Sequence, residues 1–497
     1  MAYGLDSEGR IVAQSPWTSK QLAVTEIDSV ETTRAAVDRS RIAQASWGDV
    51  PVRERVRAVD RWRRELASQA DDWADAIRDE AGKPRVEALG EVLSTLDAMR
   101  WTVRNAAKVL ADRRLGSGLQ RLALIPSARL SWRPLGVIGM LGTWNYPLYL
   151  NAPPIAQAVA AGNAVVWKPS EHATATGKLL QASVAQHLPR DLVLCVNGLA
   201  ETGRALLDSG IDKAVFTGGI AAGRRVLADL GARGIPAVAE LSGFDAAIVF
   251  PDLNPRSIAP ALAWASFVGA GQTCVAIKRI YTIGDPEPVA TALAEQAATL
   301  RAGDPADSGV DIGPLISADA RARLSEIAAR AIEAGATRMG AVESHAASDA
   351  AFTPTVFLAR DDRAERVLQG CFGPVVVVRG VRDTDEAVEA VNASDFALAA
   401  SVWSRDLRRA RAAADRLVAG VVSINDAVTP SAHAGGPFGG FRSSGHGRTK
   451  GALGLLEFVA SRCTYVQPHW IPRPQLPPYS GRTERLLRGF IRFMHGG

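Results

Sequence analysis

From Gly136 onward, short β-branched runs and helical stretches take turns, and few folds are open to such a chain. Apolar runs 136–142, 163–167, 192–196, 213–217 and 236–239 are separated by helical segments 151–161, 172–187, 200–209 and 220–231. Strands joined through helices of this length run parallel, because a tight turn cannot return the chain in the same direction. After Leu241 the alternation resumes. Strand 246–250 leads to helix 255–270, strand 278–283 and helix 287–300. Helix 317–335, strands near 355–358 and 374–379, helix 385–392, strand 398–403, helix 406–417 and strand 420–424 follow. The fold class is α/β, in two units that meet near residue 241.

The remainder frames these units. Residues 1–20 read as irregular. Ser29 to Leu110 is helical, with one apolar stripe of Ala35, Ala36, Ile42 and Ala43. Val56, Val59, Trp62, Leu66, Trp73 and Ile77 form a second stripe at helical spacings. Gly82-Lys83-Pro84 stops one helix and starts the next, over roughly 85–110. Residues 121–134, with Leu122, Leu124, Ile125, Leu130 and Trp132 set among polar neighbours, read as an exposed two-stranded ribbon. Residues 434–446 are a Gly-rich loop, 466–481 are Pro-rich and extended, and 482–495 form a basic apolar helix.

Composition narrows the function. A chain of 497 residues exceeds one ordinary core, and 47% hydrophobic with 22% charged residues is globular. The net charge of +5 is spread thinly and aromatics are 6%, so neither a basic nucleic-acid face nor a stacking platform is expected. Cys195, Cys274, Cys371 and Cys463 lack metal or disulfide spacing, so no metal site is expected and a reducing cytoplasm fits. Asp6 and Glu8 break the pattern of a signal peptide. No stretch reaches about 18 uninterrupted apolar residues, so no transmembrane helix is expected.

Chemistry gathers at the strand ends, which in an open parallel sheet face the ligand crevice. Strand 136–142 runs into Gly142-Thr143-Trp144-Asn145-Tyr146-Pro147, placing the Asn145 amide at that edge, although Asn before Pro also suits a plain turn. Strand 163–167 ends in Lys168-Pro169-Ser170-Glu171, where Lys168 and Glu171 can meet sugar hydroxyls; Glu171 equally suits a helix N-terminus. Thr217-Gly218-Gly219, with Gly223 after it, lets backbone N–H groups approach a phosphate, or is a tight turn. Glu240 follows an apolar strand directly and is costly to bury without a role, which makes it a candidate general base. Cys274 sits in Gly271-Gln272-Thr273-Cys274-Val275-Ala276, between a turn-prone lead-in and the strand from Ile277. A free Cys there is either a small buried hydrophobe or a nucleophile. The ordered set of amide, Lys/Glu pair, glycine turn, carboxylate and thiol favours the nucleophile.

These phrases, with Gly162-Asn163, Phe216-Thr217-Gly218, Glu240-Leu241-Ser242-Gly243, Phe372-Gly373-Pro374 and Pro437-Phe438-Gly439-Gly440, resemble the NAD(P)-dependent aldehyde dehydrogenases in order and spacing across nearly the whole chain. Gly142 to Pro147 and the Leu476-Pro477-Pro478-Tyr479 tail resemble the class-3-like branch. The resemblance implies a Rossmann-like cofactor domain at 1–122 and 135–240 and a catalytic domain at 241–445. It implies an oligomerisation ribbon at 123–134 and 460–475, with 482–497 left as a basic amphipathic tail. Cys274 would be the nucleophile forming a thiohemiacetal and then a thioester, Asn145 the oxyanion donor and Glu240 the base. Trp144, Lys168, Ser170, Glu171, Gly218, Gly219, Gly223, Leu241 and Phe372 would hold the cofactor. Lys168 and Glu171 would take its adenosine ribose, Gly218 and Gly219 the pyrophosphate, and Phe372 would pack by the nicotinamide. The cofactor is expected to be NAD, since Glu171 repels a 2′-phosphate, with NADP as the alternative.

The chain departs from the family at Gly370, where Glu usually grips the nicotinamide ribose, and at Ser242, Phe244 and Gly219. Trp144, Tyr146 and Phe267 suggest an apolar entrance and an aliphatic or aromatic aldehyde. Leu486, Leu487, Phe490, Ile491 and Met494 share a tail face flanked by Arg485, Arg488 and Arg492. That face would pack on its own or a neighbouring subunit, as a dimer or tetramer, or lie on a membrane surface. A Cys-dependent acyl-transfer enzyme and a non-catalytic relative are the alternative functions.

Overall fold

The structure is a computed structural model that describes residues 3–115, 127–340, 348–467, 469–470 and 476–496. In place of an irregular start, β1 (Tyr3–Leu5), β2 (Ile11–Gln14) and β3 (Gln21–Thr25) form an antiparallel sheet. Asp6 turns the first hairpin by accepting from the N–H groups of Glu8 and Arg10, with Gly9 at φ +76°. Strands of three to five residues are too short to show an alternating pattern, which is why the sequence hid them.

Four helices follow: α1 (Val30–Asp49), α2 (Val52–Ser68), α3 (Ala70–Ala81) and α4 (Arg85–Val109). Ser29 caps α1 by accepting from Thr32 N–H. The stripe expected on α1 is wrong at two places. Ile42 is 76% exposed and Ala35 is exposed, while Thr33, Ala36, Val37, Ser40 and Trp47 face inward. The inner face of α1 includes small hydroxyls, which a purely apolar count misses. The second stripe is buried throughout, but it spans two helices that break at Gln69. Gly82, left-handed at φ +70°, ends α3, and Pro84 precedes α4.

After β4 (Arg113–Leu115) and β5 (Ser127–Pro134) comes the first α/β unit. It runs β6 (Val137–Leu141), α5 (Ala152–Ala161), β7 (Ala164–Lys168), α6 (Thr174–Ala185), β8 (Val193–Cys195), α7 (Ala200–Asp208), β9 (Lys213–Thr217), α8 (Ile220–Ala232) and β10 (Ala237–Glu240). β7 is buried at every residue, as a central parallel strand with both faces covered must be. Strand order is β8-β7-β6-β9-β10, closed at one edge by a short antiparallel strand from far along the chain. The chain therefore moves outward from β6 in one direction and resumes on its other side at β9. That switch lies between β6 and β9, the position at which open α/β sheets bind ligands.

The second unit runs β11 (Asp245–Val249), α9 (Pro255–Phe267), β12 (Ile277–Ile283), α10 (Glu287–Thr299), α11 (Ala318–Glu333), β13 (Thr337–Met339), β14 (Thr355–Ala359), α12 (Arg363–Leu368), β15 (Val375–Val381) and α13 (Thr384–Asn392). It ends with β16 (Phe396–Ala397), β17 (Ala399–Trp403), α14 (Leu407–Ala414) and β18 (Val421–Ile424). The seven-stranded sheet has order β13-β14-β15-β12-β11-β17-β18, parallel except at β13.

The chain then returns to the first unit. β19 (Phe441–Arg442) precedes β20 (Gly445–His446), which pairs with β10, and α15 (Gly451–Leu456) brings Leu455 and Phe458 into the first core. β21 (Val459–Val466) pairs with β5 over eight residues, and β5 pairs with β4 on its other side. The exposed ribbon thus joins segments more than 300 residues apart; Leu122, Leu124 and Ile125 lie outside the described residues. A final helix, α16 (Gly481–His495), has no buried residue.

Candidate active site

Cys274 stands at the end of a tightly bonded turn. After α9 the backbone takes three left-handed residues in a row, Gly269 at φ +62°, Ala270 at +53° and Gly271 at +66°. A Cβ on Gly271 would lie 2.2 Å from the Gly373 carbonyl oxygen, so only glycine fits that approach. The buried Lys278 ammonium donates to the carbonyls of Gly271, at 2.8 Å, and Gly373, tying the Cys274 loop to the Phe372 loop. Glu87 Oε2 accepts from Gly269 N–H at 3.0 Å. Gln272 Oε1 accepts from Ile316 N–H at 2.8 Å, and Thr273 Oγ1 donates to the Val268 carbonyl at 3.1 Å. Tyr146 OH and Thr273 Oγ1 are 2.9 Å apart.

The structure brings Cys274, Glu240 and Asn145 to one place. Cys274 is partly exposed, and it shares with Glu240 a cavity of about 400 Å³. Buried Asn145 donates from Nδ2 to the Gln272 carbonyl at 3.0 Å, and its Oδ1 accepts from Thr143 Oγ1 at 2.9 Å. One Nδ2 proton is left for another acceptor. Glu240 Oε1 accepts from Thr449 Oγ1 at 3.5 Å, while buried Oε2 has no hydrogen-bond partner among the described residues.

Burial dominates the charges here. It pushes the Cys274 thiol up to about 12, and the Glu240 and Asp245 carboxylates push the same way against Lys450. It pushes the Glu240 carboxyl up to about 8, opposed by Lys450, Arg448 and the Thr449 hydroxyl. It draws the Lys450 ammonium down to about 8, opposed by Glu240 and Cys274.

The cavity walls were only partly foreseen. Tyr146 lines the cavity, but Phe267 is wholly buried in the second core and Trp144 faces elsewhere. The apolar mouth is formed instead by Val86 and Leu93 of α4, by Pro153, and by Trp264, three residues before Phe267 and 45% exposed. Tyr149 and Lys450 were missed. Neither carries a local signal, since a lone Lys after a Gly-rich loop reads as solvated.

The expected cofactor residues sit at or after the carboxyl ends of β6, β7, β9 and β10, except Gly223 inside α8 and Phe372 in the loop before β15. Lys168 Nζ donates to the carbonyls of Pro169 and Gly198, both at 2.7 Å, and lies 3.7 Å from Glu171. Ser170 Oγ accepts from His172 N–H at 3.3 Å. Gly219 caps α8 without a side chain, and a Cβ there would meet nothing within 4 Å. Gly223 is a packing glycine, because its Cβ would lie 2.3 Å from Leu241 Cδ2, and Leu241 belongs to a small apolar cluster with Phe216 and Ala239. Trp144 and Phe372 rings meet edge to face at 5.8 Å. Gly370 occupies the third position of a turn in which Cys371 N–H donates to the Leu368 carbonyl at 2.9 Å. With Gln369 at φ −56°, ψ 121° and Gly370 at φ +79°, this is a type II turn, which demands glycine there.

The first turn of α8, which no side chain caps among the described residues, the open Gly219 and the Lys168–Glu171 pair suit a dinucleotide laid across the switch.

The Aldehyde dehydrogenase family pattern matches residues 5–463. The chain is 32% identical over 492 residues to the 4,4'-diapolycopene aldehyde oxidase of Methylomonas sp, covering 98% of this chain and 91% of that protein. It is 32% identical over 463 residues to a protein of Mycolicibacterium smegmatis provisionally named succinate-semialdehyde dehydrogenase (NADP(+)), covering 92% and 89%. The Mycobacterium tuberculosis aldehyde dehydrogenase complexed with NAD+ superposes with a TM-score of 0.86 at 28% identity, covering 93% of this chain and 95% of that one. A match over nearly the whole length, in sequence and in fold, makes the chain a member of the aldehyde dehydrogenase family, an enzyme that oxidises an aldehyde to the acid with NAD(P).

Proposed function

We propose that the enzyme oxidises an apolar aldehyde, aliphatic or aromatic, through a thioester on Cys274. The observation that carries this reading is the cavity shared by Cys274 and Glu240, with an apolar mouth. The Cys274 sulfur adds to the carbonyl carbon as thiolate. The developing oxyanion accepts hydrogen bonds from the free Nδ2–H of Asn145 and from the Cys274 backbone N–H. Bound NAD(P) supplies the hydride acceptor. Glu240 then removes a proton from water as it attacks the thioester, and the acid leaves with Cys274 restored. Lys168 and Glu171 would hold the adenosine ribose, Gly218 and Gly219 would line the pyrophosphate, and Trp144 and Phe372 would flank the nicotinamide. Ser170, Gly223 and Leu241 support that crevice. Glu171 favours NAD.

One relative is named for 4,4'-diapolycopene aldehyde, another for succinate semialdehyde. A semialdehyde carboxylate needs an unengaged cation. Lys83 Nζ is bound to Glu91 Oε2 at 2.6 Å and Lys450 faces Glu240, which supports the apolar substrate.

The cofactor part is assigned to 1–122 and 135–240 and the catalytic part to 241–445. The ribbon of 123–134 with 460–475 is assigned to oligomer contacts. Among the described residues, one edge of β21 is exposed and unpaired, which suits pairing with a second copy. The class-3-like branch rests on the wording of residues 142–147 and 476–479. A panel of aldehydes read by NADH absorbance tests the reading. Turnover should favour apolar chains over succinate semialdehyde and vanish in Cys274→Ala; full activity in that variant removes the nucleophile.

A further inference from the structure

Two cations line the cavity among its described residues, Lys83 and Lys450. Lys83 is neutralised by contact with Glu91. Lys450 is held differently. Its Nζ donates to Tyr149 OH at 2.9 Å and to the Ser431 carbonyl, and it lies 4.8 Å from the Phe438 ring centre. None of these partners is an anion. The charges facing it are across the cavity: Glu240 from β10 and Cys274 from the turn after α9.

The backbone strengthens the case. Lys450 has φ +60° and ψ 168°, a region that only glycine occupies without strain. Its neighbour across the Ser431 bond is strained as well. Val428 has φ +64° and ψ −58° in a γ-turn closed by Thr429 N–H on the Ala427 carbonyl at 2.7 Å, and Ser431 Oγ donates to the Val428 carbonyl. Two strained non-glycine residues thus meet at the wall of one cavity. A backbone held against its preference, with the side chain drawn from water, persists where surrounding structure enforces it.

We propose that Lys450 is a positioning residue whose buried ammonium is the counter-charge, across the cavity, for the Cys274 thiolate and the Glu240 carboxylate. It rests on the nucleophile and base assignments above. A cation lowers the free energy of an anion in a dry cavity, so its loss makes both groups harder to ionise. Other groups set the background and stay in place: Arg448 beside Glu240, Asp245 beside Cys274, and Tyr149 with Glu91 behind it. Burial of the Lys450 ammonium, which draws its own proton affinity down, is the cost of this placement.

The test is iodoacetamide alkylation of Cys274 in full-length protein without cofactor, followed by peptide mass spectrometry from pH 6 to 10. The pH profile of kcat/KM with NAD is measured in parallel. Lys450→Met should slow alkylation at fixed pH about tenfold or more, equivalent to moving the thiol titration up by about one pH unit. The rising limb of kcat/KM should move the same way. Lys450→Arg, which keeps the charge, should stay within a few-fold of wild type. Lys450→Gly removes both strain and ammonium, so it should melt at or above the wild-type temperature yet show the same upward shift. Profiles of the Met and Gly variants that superimpose on wild type overturn the proposal, and so does an Arg variant shifted as far as Met. A Cys274 that is unreactive at every pH in wild type would instead overturn the nucleophile assignment, and this proposal with it.

Discussion

Asn145 Nδ2 donates to the Gln272 carbonyl at 3.0 Å, so the amide that follows β6 in one unit is fastened to the turn that carries Cys274 in the other. One bond sets the distance between the Asn145 amide and the turn that carries the sulfur, and Thr143 fixes which way the amide points.

Asn145→Ala should therefore lower kcat by about 10² to 10³, the usual effect of removing one oxyanion donor. Cofactor affinity, read by fluorescence titration with NADH, should change little. Asn145→Asp removes the donor and adds a charge near Cys274, so it should be at least as damaging. An Asn145→Ala enzyme within a few-fold of wild type would take the residue out of the mechanism.

The raised Glu240 carboxyl gives activity a sign with pH. A general base works when deprotonated, and burial holds Glu240 protonated up to about 8. Below that value kcat, which includes thioester hydrolysis, should rise about tenfold per pH unit and then level. Glu240→Gln should lose that limb together with most of the turnover. A flat profile in the wild type between pH 6 and 8 would contradict the assignment.

Gly370 stands where the family's pattern has a Glu for the nicotinamide ribose, and that departure alone suggests that restoring Glu would tighten the cofactor or raise turnover. The turn geometry changes that expectation. A side chain at φ +79° costs about 1–2 kcal/mol, although the space beside it is open, with Phe396 Cζ at 3.9 Å. Gly370→Glu should lower the melting temperature, and any gain in cofactor affinity must overcome that strain. Differential scanning calorimetry with NADH titration checks both; an unchanged melting temperature would contradict the strain.

These cases show what the sequence could carry. Parallel strands are continuous apolar runs, so β6, β7, β9 and β10 and the residues at their ends were legible, and Cys274, Glu240 and Asn145 with them. The cavity wall was not. It is assembled from α4, the segment after β6, α9 and the 428–450 loops, with no common period to reveal which side chains face inward. Lys450 looks solvated in sequence because nothing local says that Ser431 and Tyr149 will close around it. Phe267 and Trp264 share a helix, and only packing decides which one enters the core.

Glu171 stands 3.7 Å from Lys168 just after β7, where it is proposed to meet the adenosine ribose. Glu171→Gln should raise the NADP-to-NAD ratio of kcat/KM by about tenfold, equivalent to relieving about 1.4 kcal/mol of repulsion. An unchanged ratio would place the 2′ position of the ribose elsewhere.

The tail is the surface with the plainest physical character. α16 leaves Leu486, Leu487, Phe490, Ile491 and Phe493 exposed, and Arg482, Arg485, Arg488 and Arg492 outnumber Glu484. No helix among the described residues is long and apolar enough to cross a membrane. An exposed apolar face flanked by arginines suits packing on a neighbouring subunit or an anionic lipid surface. Truncation after Tyr479, read by subunit assembly and by sedimentation with phosphatidylserine vesicles, separates the two. Loss of assembly alone assigns the helix to a neighbouring subunit, and loss of sedimentation alone assigns it to the lipid.

The proposed chemistry keeps the aldehyde carbon bonded to the Cys274 sulfur until Glu240 lets water in. Glu240→Gln mixed with NAD and a saturating apolar aldehyde, quenched in acid and digested, reads this by mass. The account predicts an acyl group on the peptide containing Cys274, approaching one per subunit and removed by hydroxylamine. Steady NADH production with that peptide unmodified, or an acyl group on a different residue, would contradict it.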